Sequence, residues 1–149
     1  ASKAGVPIEI LARGICCLRP GVAGLSETIT VRSVIGRFLE HGRIYVFANG
    51  GEFLSEKNTV IISSADLMPR NLRRRVECFM RLENPTVRKQ VLHQIMVAML
   101  RDEKNSWYLQ PDGSYVHPAT DEASFSCHDY FMSNPSLSGL GSLANAQEQ

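Results

Sequence analysis

Five arginines fall between residues 70 and 81, at Arg70, Arg73, Arg74, Arg75 and Arg81, with Glu77 among them. A planar guanidinium can grip two phosphate oxygens at once, whereas a lysine offers a point charge, so such a cluster can form an anion site. On composition alone a solvated, partly salt-bridged strand and turn is the commoner arrangement. His41 lies in FLEHGRIYVF, between an acidic residue and an apolar run. A lone histidine is more often structural, but the spacing H-x-R places His41 and Arg43 on one face of a strand. A phosphoryl group held there would meet a proton donor and a positive charge together.

The other candidates carry less. His93 falls on the polar side of a helical pattern, and His117 and His128 lie in the less regular C-terminal part. None has metal-ligand spacing to another His or Cys, so no zinc site is assigned. The adjacent Cys16 and Cys17 read as packing rather than redox chemistry, and Cys78 and Cys127 are isolated, which points to reduced thiols and a cytoplasmic home. The chain contains neither GxxxxGK[ST] nor GxGxxG, so any nucleotide site uses neither a P-loop nor a Rossmann turn.

These residues need elements to hold them. PIEILAR (7–13) alternates Ile8, Ile10 and Ala12 against Glu9, Leu11 and Arg13, which predicts a strand delivering Arg13 at its C-terminal end. CCLRPGVAGLSE (16–27) carries Pro20, Gly21 and Gly24 and reads as a loop, the kind of strand-end loop where α/β folds bind ligands. RIYVFAN (43–49), apolar on both faces, predicts a central, doubly covered strand before the Gly50-Gly51 turn. A polar loop (52–58) leads to TVIIS (59–63), a short buried strand, and SADLMPRN (64–71) begins a turn. Arg74 to Arg81 alternates Val76, Cys78 and Met80 against Arg75, Glu77, Phe79 and Arg81, predicting a strand with a core face and a wet face that carries Arg75.

Asn84 and Pro85 form a helix start, and Val87, Val91, Leu92, Ile95, Met99 and Leu100 recur at helical spacing behind them. A turn is expected at Pro111 to Gly113, and mobility over the last dozen residues, which are Ser, Asn and Gly rich. The opening ASKAG reads as the last turn of a helix with Gly5 at its C-cap, and so as the continuation of something longer.

The 149 residues, 44% of them hydrophobic, suffice for one core. Sixteen basic residues nearly balance 15 acidic ones for a net charge of +1, so no global field favours nucleic acid or an anionic membrane, and any anion site is local. No run approaches the roughly 20 apolar residues of a membrane span.

The segments RGICCLRPGVAGLSE (13–27), VRSVIGRFLEHGRIYVFANGG (31–51) and SSADLMPRNLRRRVE (63–77), in that order, closely resemble polyphosphate kinase. The resemblance runs from residue 1 to about 116. It implies an α/β, phospholipase-D-like domain with a mixed central sheet flanked by helices, similar to the second of the family's two such domains. H-x-R at 41–43 and SSAD at 63–66 followed by PRN resemble a degenerate phospholipase D motif, with arginine where lysine is usual. Residues 1–118 would be the C-terminal catalytic domain and 119–149 a C-terminal extension.

By the same resemblance the parent enzyme would reversibly transfer the terminal phosphate of ATP to inorganic polyphosphate through a phosphohistidine, with Mg2+. The family's ATP-contacting arginine falls on Arg13, its ATP-contacting, proton-donating histidine on His41, and a further active-site arginine on Arg75. The phosphorylated histidine and the magnesium ligands would lie in the preceding domain, making this chain a half-site, inactive alone, in a homo-oligomer. Two rivals stand beside this reading. One is a phospholipase-D-type phosphodiesterase half using His41 as nucleophile or acid, and the other is a non-catalytic polyanion-binding module.

Overall fold

The computed structural model describes residues 1–134, within which the short apolar runs of the sequence become strands shared between two sheets. In chain order these are β1 (Ile8–Leu11), β2 (Ile29–Val34), β3 (Ile44–Phe47), β4 (Thr59–Ser63), β5 (Phe79–Arg81), β6 (Ser106–Leu109) and β7 (Tyr115–Val116). The helices are α1 (Pro69–Arg74), α2 (Pro85–Gln90), α3 (Val97–Arg101) and α4 (Cys127–Ser133), with π-helical turns over Val91–Met96. The chain divides into two units, one formed by Ala1–Glu40 and Met99–Ser133, the other described here over His41–Ala98. Among the described residues no helix is long and apolar enough to cross a membrane.

The first unit holds the mixed sheet, in the order β1-β2-β6-β7. β1 runs parallel to β2, with Ile8 opposite Ile29, and β6 runs antiparallel to it, with Arg32 opposite Tyr108. β2 is the centre: Val31, Arg32, Ser33 and Val34 are all buried. An arginine in that row has to be compensated, because an unpaired buried charge costs several kcal/mol, of order 3 or more. Nη2 of Arg32 pairs with Glu9 at 2.8 Å and also donates to the Leu100 carbonyl. Nη1 donates to the Asp102 carbonyl at 3.1 Å and the Tyr108 hydroxyl at 3.3 Å.

Asp102, 1% exposed, ties the C-terminal part to this sheet. Its carboxylate accepts the backbone N–H of Asn105, the side-chain amide of Asn105 and the backbone N–H of Cys127, each at 2.8 Å. The turn expected at Pro111 to Gly113 closes the β6–β7 hairpin, with Gly113 N–H donating to Gln110 and Gly113 at φ +91°, a conformation that suits glycine. At the N-terminus Gly5 caps a short 3-10 turn, Ser2–Ala4, in the left-handed conformation, as ASKAG suggests. The final dozen residues, expected to be mobile, lie outside the described residues.

The second unit is built on an antiparallel sheet ordered β3-β4-β5. TVIIS forms its middle strand, and Val60, Leu82 and Leu92 make a core against which Ile44, Val46, Leu54, Ile62 and Val91 pack. Two expectations need correction here. β3 is an edge strand rather than a central one, and its residue Phe47 is 53% exposed; apolar residues on both faces indicate covering of the faces, not pairing at both edges. Arg74 to Arg81 is a strand only from Phe79, and Val76, assigned to a core face, is fully exposed. The residues before β5 are instead drawn in by hydrogen bonds from Ser64, which take precedence over a ladder.

The helix start is as read. The Asn84 side chain accepts from the N–H groups of Thr86 at 2.9 Å and Val87 at 3.1 Å, with Pro85 at the first position. The π-helical turns are not visible in the 3.6-residue pattern. They accompany a correction at His93, which is half-buried rather than on a polar face. Its Nδ1 has no partner, and burial, then the nearby Lys89, lowers its pKa.

Two outcomes follow. Asn84→Ala lowers stability by about 1 kcal/mol, read from urea denaturation, because two amide donors lose their acceptor. For Asp102, burial raises the pKa, but the hydrogen bonds from Asn105 and Cys127 outweigh it and leave a net depression. A carboxylate depressed in the fold contributes stability that is present above the unfolded value and lost as pH falls through the folded one. Stability therefore drops below about pH 4, and Asp102→Asn, less stable at neutral pH, flattens that acid limb.

Candidate functional site

The pairing of β3 with β4 brings two separated motifs together. Ile44 lies opposite Ile62, and Ser63 N–H donates to the Arg43 carbonyl at 2.9 Å, so the entrance of β3 sits beside the exit of β4. H-x-R occupies the first position and SSAD the second. Arg43 is directed at Asp66: Nε donates to Oδ1 at 3.0 Å and Nη2 to the same oxygen at 2.7 Å. Its Nη1 donates to the His41 carbonyl at 2.8 Å and lies 2.6 Å from Nδ1 of the His41 ring. His41 itself is exposed, while the Arg43 side chain is only 15% exposed.

This alters the expected geometry of H-x-R. Arg43 does share its surroundings with His41, but its guanidinium is engaged by Asp66 and by His41 and is not presented to a phosphoryl group. In the sequence Asp66 stands out only as part of SSAD. Its partner 23 residues away could be found in the sequence only by knowing the strand pairing. Tyr45 closes the inner side, donating to the Ala65 carbonyl at 3.3 Å, and burial raises its pKa.

Beyond SSAD, α1 begins with Pro69 at its first turn and carries Arg70, Arg73 and Arg74. Arg75 follows in extended conformation, exposed, with no hydrogen bond or ion pair among the described residues. Glu77, the acidic member of the cluster, is held elsewhere. Ser64 donates to one carboxylate oxygen and Asn71 to the other at 2.9 Å. Those two hydrogen bonds keep its carboxyl below the usual range. The carboxylate closest in sequence to Arg75 is thereby fixed by neutral donors, and the Arg75 guanidinium stays open to solvent.

Arg13 lies in the other unit, two residues past β1, also exposed. Its Nη1 donates to the Glu40 carbonyl at 3.0 Å. The Glu40 carboxylate accepts from Nε2 of His128 at 2.7 Å, and His128 is 2% exposed. Phe38 meets that imidazole edge-on with centroids 5.2 Å apart. A histidine expected in irregular chain is therefore a buried clamp on the segment before residue 41, and nothing in the local sequence signals it. His117 rests against Trp107, 4.9 Å between centroids, and reaches the Lys104 carbonyl. The cysteines are all free thiols; Cys127 is buried, and burial pushes its thiol pKa up.

The clamp leaves no room at Gly36, where an added Cβ would come within 2.5 Å of His128 Nδ1 and 2.8 Å of the Asn105 amide oxygen. Gly36→Ala lowers the thermal midpoint, at a cost of about 1–3 kcal/mol.

Comparison with known proteins agrees with this architecture. The family model described as polyphosphate kinase C-terminal domain 2 matches residues 1–127. The chain is 58% identical over 146 residues to the polyphosphate kinase of Erythrobacter litoralis, covering 98% of this chain and 20% of that protein. It is 52% identical over 133 residues to that of Synechocystis, covering 88% of this chain and 17% of that one. The crystal structure of polyphosphate kinase from Porphyromonas gingivalis superimposes with a TM-score of 0.79 at 32% identity, over 93% of this chain and 21% of that chain. The fold is thus the α/β, phospholipase-D-like one, and the chain spans about a fifth of the length of these relatives. This chain belongs to the polyphosphate kinase C-terminal domain 2 family.

Proposed function

We propose that this chain is the second catalytic half of a polyphosphate kinase, which reversibly moves the terminal phosphate of ATP to inorganic polyphosphate. The observation that carries the reading is the state of its three candidate residues. Arg13, His41 and Arg75 are all exposed, while the neighbouring Arg43, Asp66 and Glu77 are taken up in internal contacts. Exposed guanidinium groups are free to neutralise phosphate oxygens, and an exposed imidazole can hydrogen-bond or protonate the attacking or leaving oxygen. Phosphoryl transfer depends chiefly on positioning and electrostatic stabilisation, so a site can be divided between domains.

On this reading the phosphohistidine belongs to a preceding domain, the active enzyme is a cytoplasmic homo-oligomer, and the chain by itself is inactive. Magnesium, which the resemblance implies, finds no donor set here. Among the described residues no three His, Cys, Asp or Glu side chains converge, and Asp66 and Glu77 already serve Arg43, Ser64 and Asn71.

In the full-length enzyme, His41→Ala lowers the rate of ATP-dependent polyphosphate synthesis by about 10²–10⁴-fold while circular dichroism shows the fold retained. Normal turnover overturns the role given to His41.

A further inference from the structure

A guanidinium has five N–H donors, and those that stay free decide how it can meet an anion. Arg13 uses Nη1, which donates to the Glu40 carbonyl at 3.0 Å. This leaves the edge formed by Nε and Nη2, whose two parallel N–H groups match two phosphate oxygens. The backbone beneath is fixed separately. Ala12 N–H donates to the Arg32 carbonyl at 2.8 Å, Gly14 N–H to the Ser33 hydroxyl at 3.3 Å, and the Tyr115 hydroxyl to the Gly14 carbonyl at 3.1 Å. The root of the side chain is thus held by β2 and β7, and the direction of its head by one carbonyl.

That carbonyl lies in a segment, 35–40, that is neither strand nor helix. At one end Ile35 N–H donates to the Asn105 carbonyl at 2.8 Å, and at the other the Glu40 carboxylate meets Nε2 of His128 at 2.7 Å. A carboxylate only accepts, so the ring nitrogen donates. The ring has no freedom to follow a moving partner. It is 2% exposed, with Phe38 edge-on to it and the backbone at Gly36 so near that an added Cβ would lie 2.5 Å from Nδ1. The start of α4 is fixed in turn, by Cys127 N–H on the Asp102 carboxylate and Asp129 N–H on the Ser126 hydroxyl. All of these groups belong to the first unit, and His128 lies one residue beyond the part matched by the family model.

We propose that His128 is a positioning residue for Arg13: by holding the Glu40 carboxylate it fixes the Glu40 carbonyl, which takes Nη1 of Arg13 and presents the Nε–Nη2 edge for a bidentate grip on a phosphate. That the anion is a phosphate of ATP rests on the proposed function; the hold on Arg13 does not. An arginine already directed loses little rotamer freedom when the anion arrives, whereas one that has to be ordered at that moment binds more weakly. The C-terminal extension, which the resemblance leaves without a role, thereby acts on the site without touching the substrate.

Two measurements test it. The first is the 15N–1H spectrum of the arginine side chains of this chain, in which a guanidinium tethered through Nη1 gives separate Nη signals and a free one gives an averaged signal. Arg13 is separated in the wild type and averaged in His128→Ala and in Glu40→Ala, which keeps the carbonyl but not the carboxylate. An averaged Arg13 in the wild type, or a separated one in Glu40→Ala, overturns the positioning role whether or not His128→Ala folds. The second is the kinetics of the full-length enzyme. His128→Ala lowers kcat/KM for ATP by about 10–10²-fold, and His128→Gln, whose amide nitrogen can still donate to the Glu40 carboxylate, restores most of it. In an Arg13→Ala background His128→Ala causes no further loss, because the two act as one unit. Losses that multiply, or a Gln variant no better than Ala, overturn the proposal. Normal kcat/KM in Arg13→Ala overturns the assignment of Arg13 to ATP while the Nη signals still decide the tether, so the two failures are distinguishable.

Discussion

A guanidinium taken out of water must be compensated, and the first unit is organised around doing so for both terminal nitrogens of Arg32, while its Nε is buried without a partner. The desolvation penalty of a buried ion is several kcal/mol, on the order of the net stability of a small domain. Glu9 from β1, two main-chain carbonyls at Leu100 and Asp102, and the hydroxyl of Tyr108 from β6 converge on one side chain of β2. Each of those partners also belongs to a different segment. The charge thus joins the parallel strand pair that delivers Arg13, the hairpin, and the turn whose carboxylate anchors α4. Removing it would orphan carbonyls as well as a carboxylate, which ordinary core substitutions do not do.

The arginines of this chain are one residue type in four kinds of surroundings. Arg32 is enclosed, Arg43 is mostly covered and paired, Arg81 and Arg88 make pairs with the exposed Glu83 and Glu56, and Arg13 and Arg75 are exposed. Composition counts them equally. What distinguishes a structural cation from one able to meet a substrate is how far the fold covers it and how many acceptors it supplies, and that is decided by contacts across 23 residues for Arg43 and 70 for Arg32.

Such distances mark the boundary of what was legible in the sequence. The cap at Asn84, the turn at Pro111 to Gly113 and the strand TVIIS were readable because each depends on a few adjacent residues. The candidate site was readable in part: H-x-R and SSAD stand out as strings, and Arg13 is carried by the alternation of β1. That Arg43 faces Asp66 instead of a phosphate was not readable, since it arises from the register of β3 on β4. The same holds for His128, which meets Glu40 across 88 residues. Val76 misled because alternation is a pattern of residue types, and Ser64 and Asn71 pull the neighbouring Glu77 out of it.

The way Glu77 is held has a consequence for how the surface responds to ionic strength. Mobile ions screen exposed charges over a Debye length of about 8 Å at physiological salt, and they reach covered pairs much less. Glu77 is held by a hydroxyl and an amide and forms no ion pair with Arg70, Arg73, Arg74 or Arg75, although its charge is felt by the nearby Arg75. Their field is the part of this surface most open to adjustment by the solution. The Arg43–Asp66 pair, with net charge zero and side chains 15% and 29% exposed, is comparatively shielded from it. Salt would therefore weaken the field of these arginines while leaving the Arg43–Asp66 pair largely unchanged.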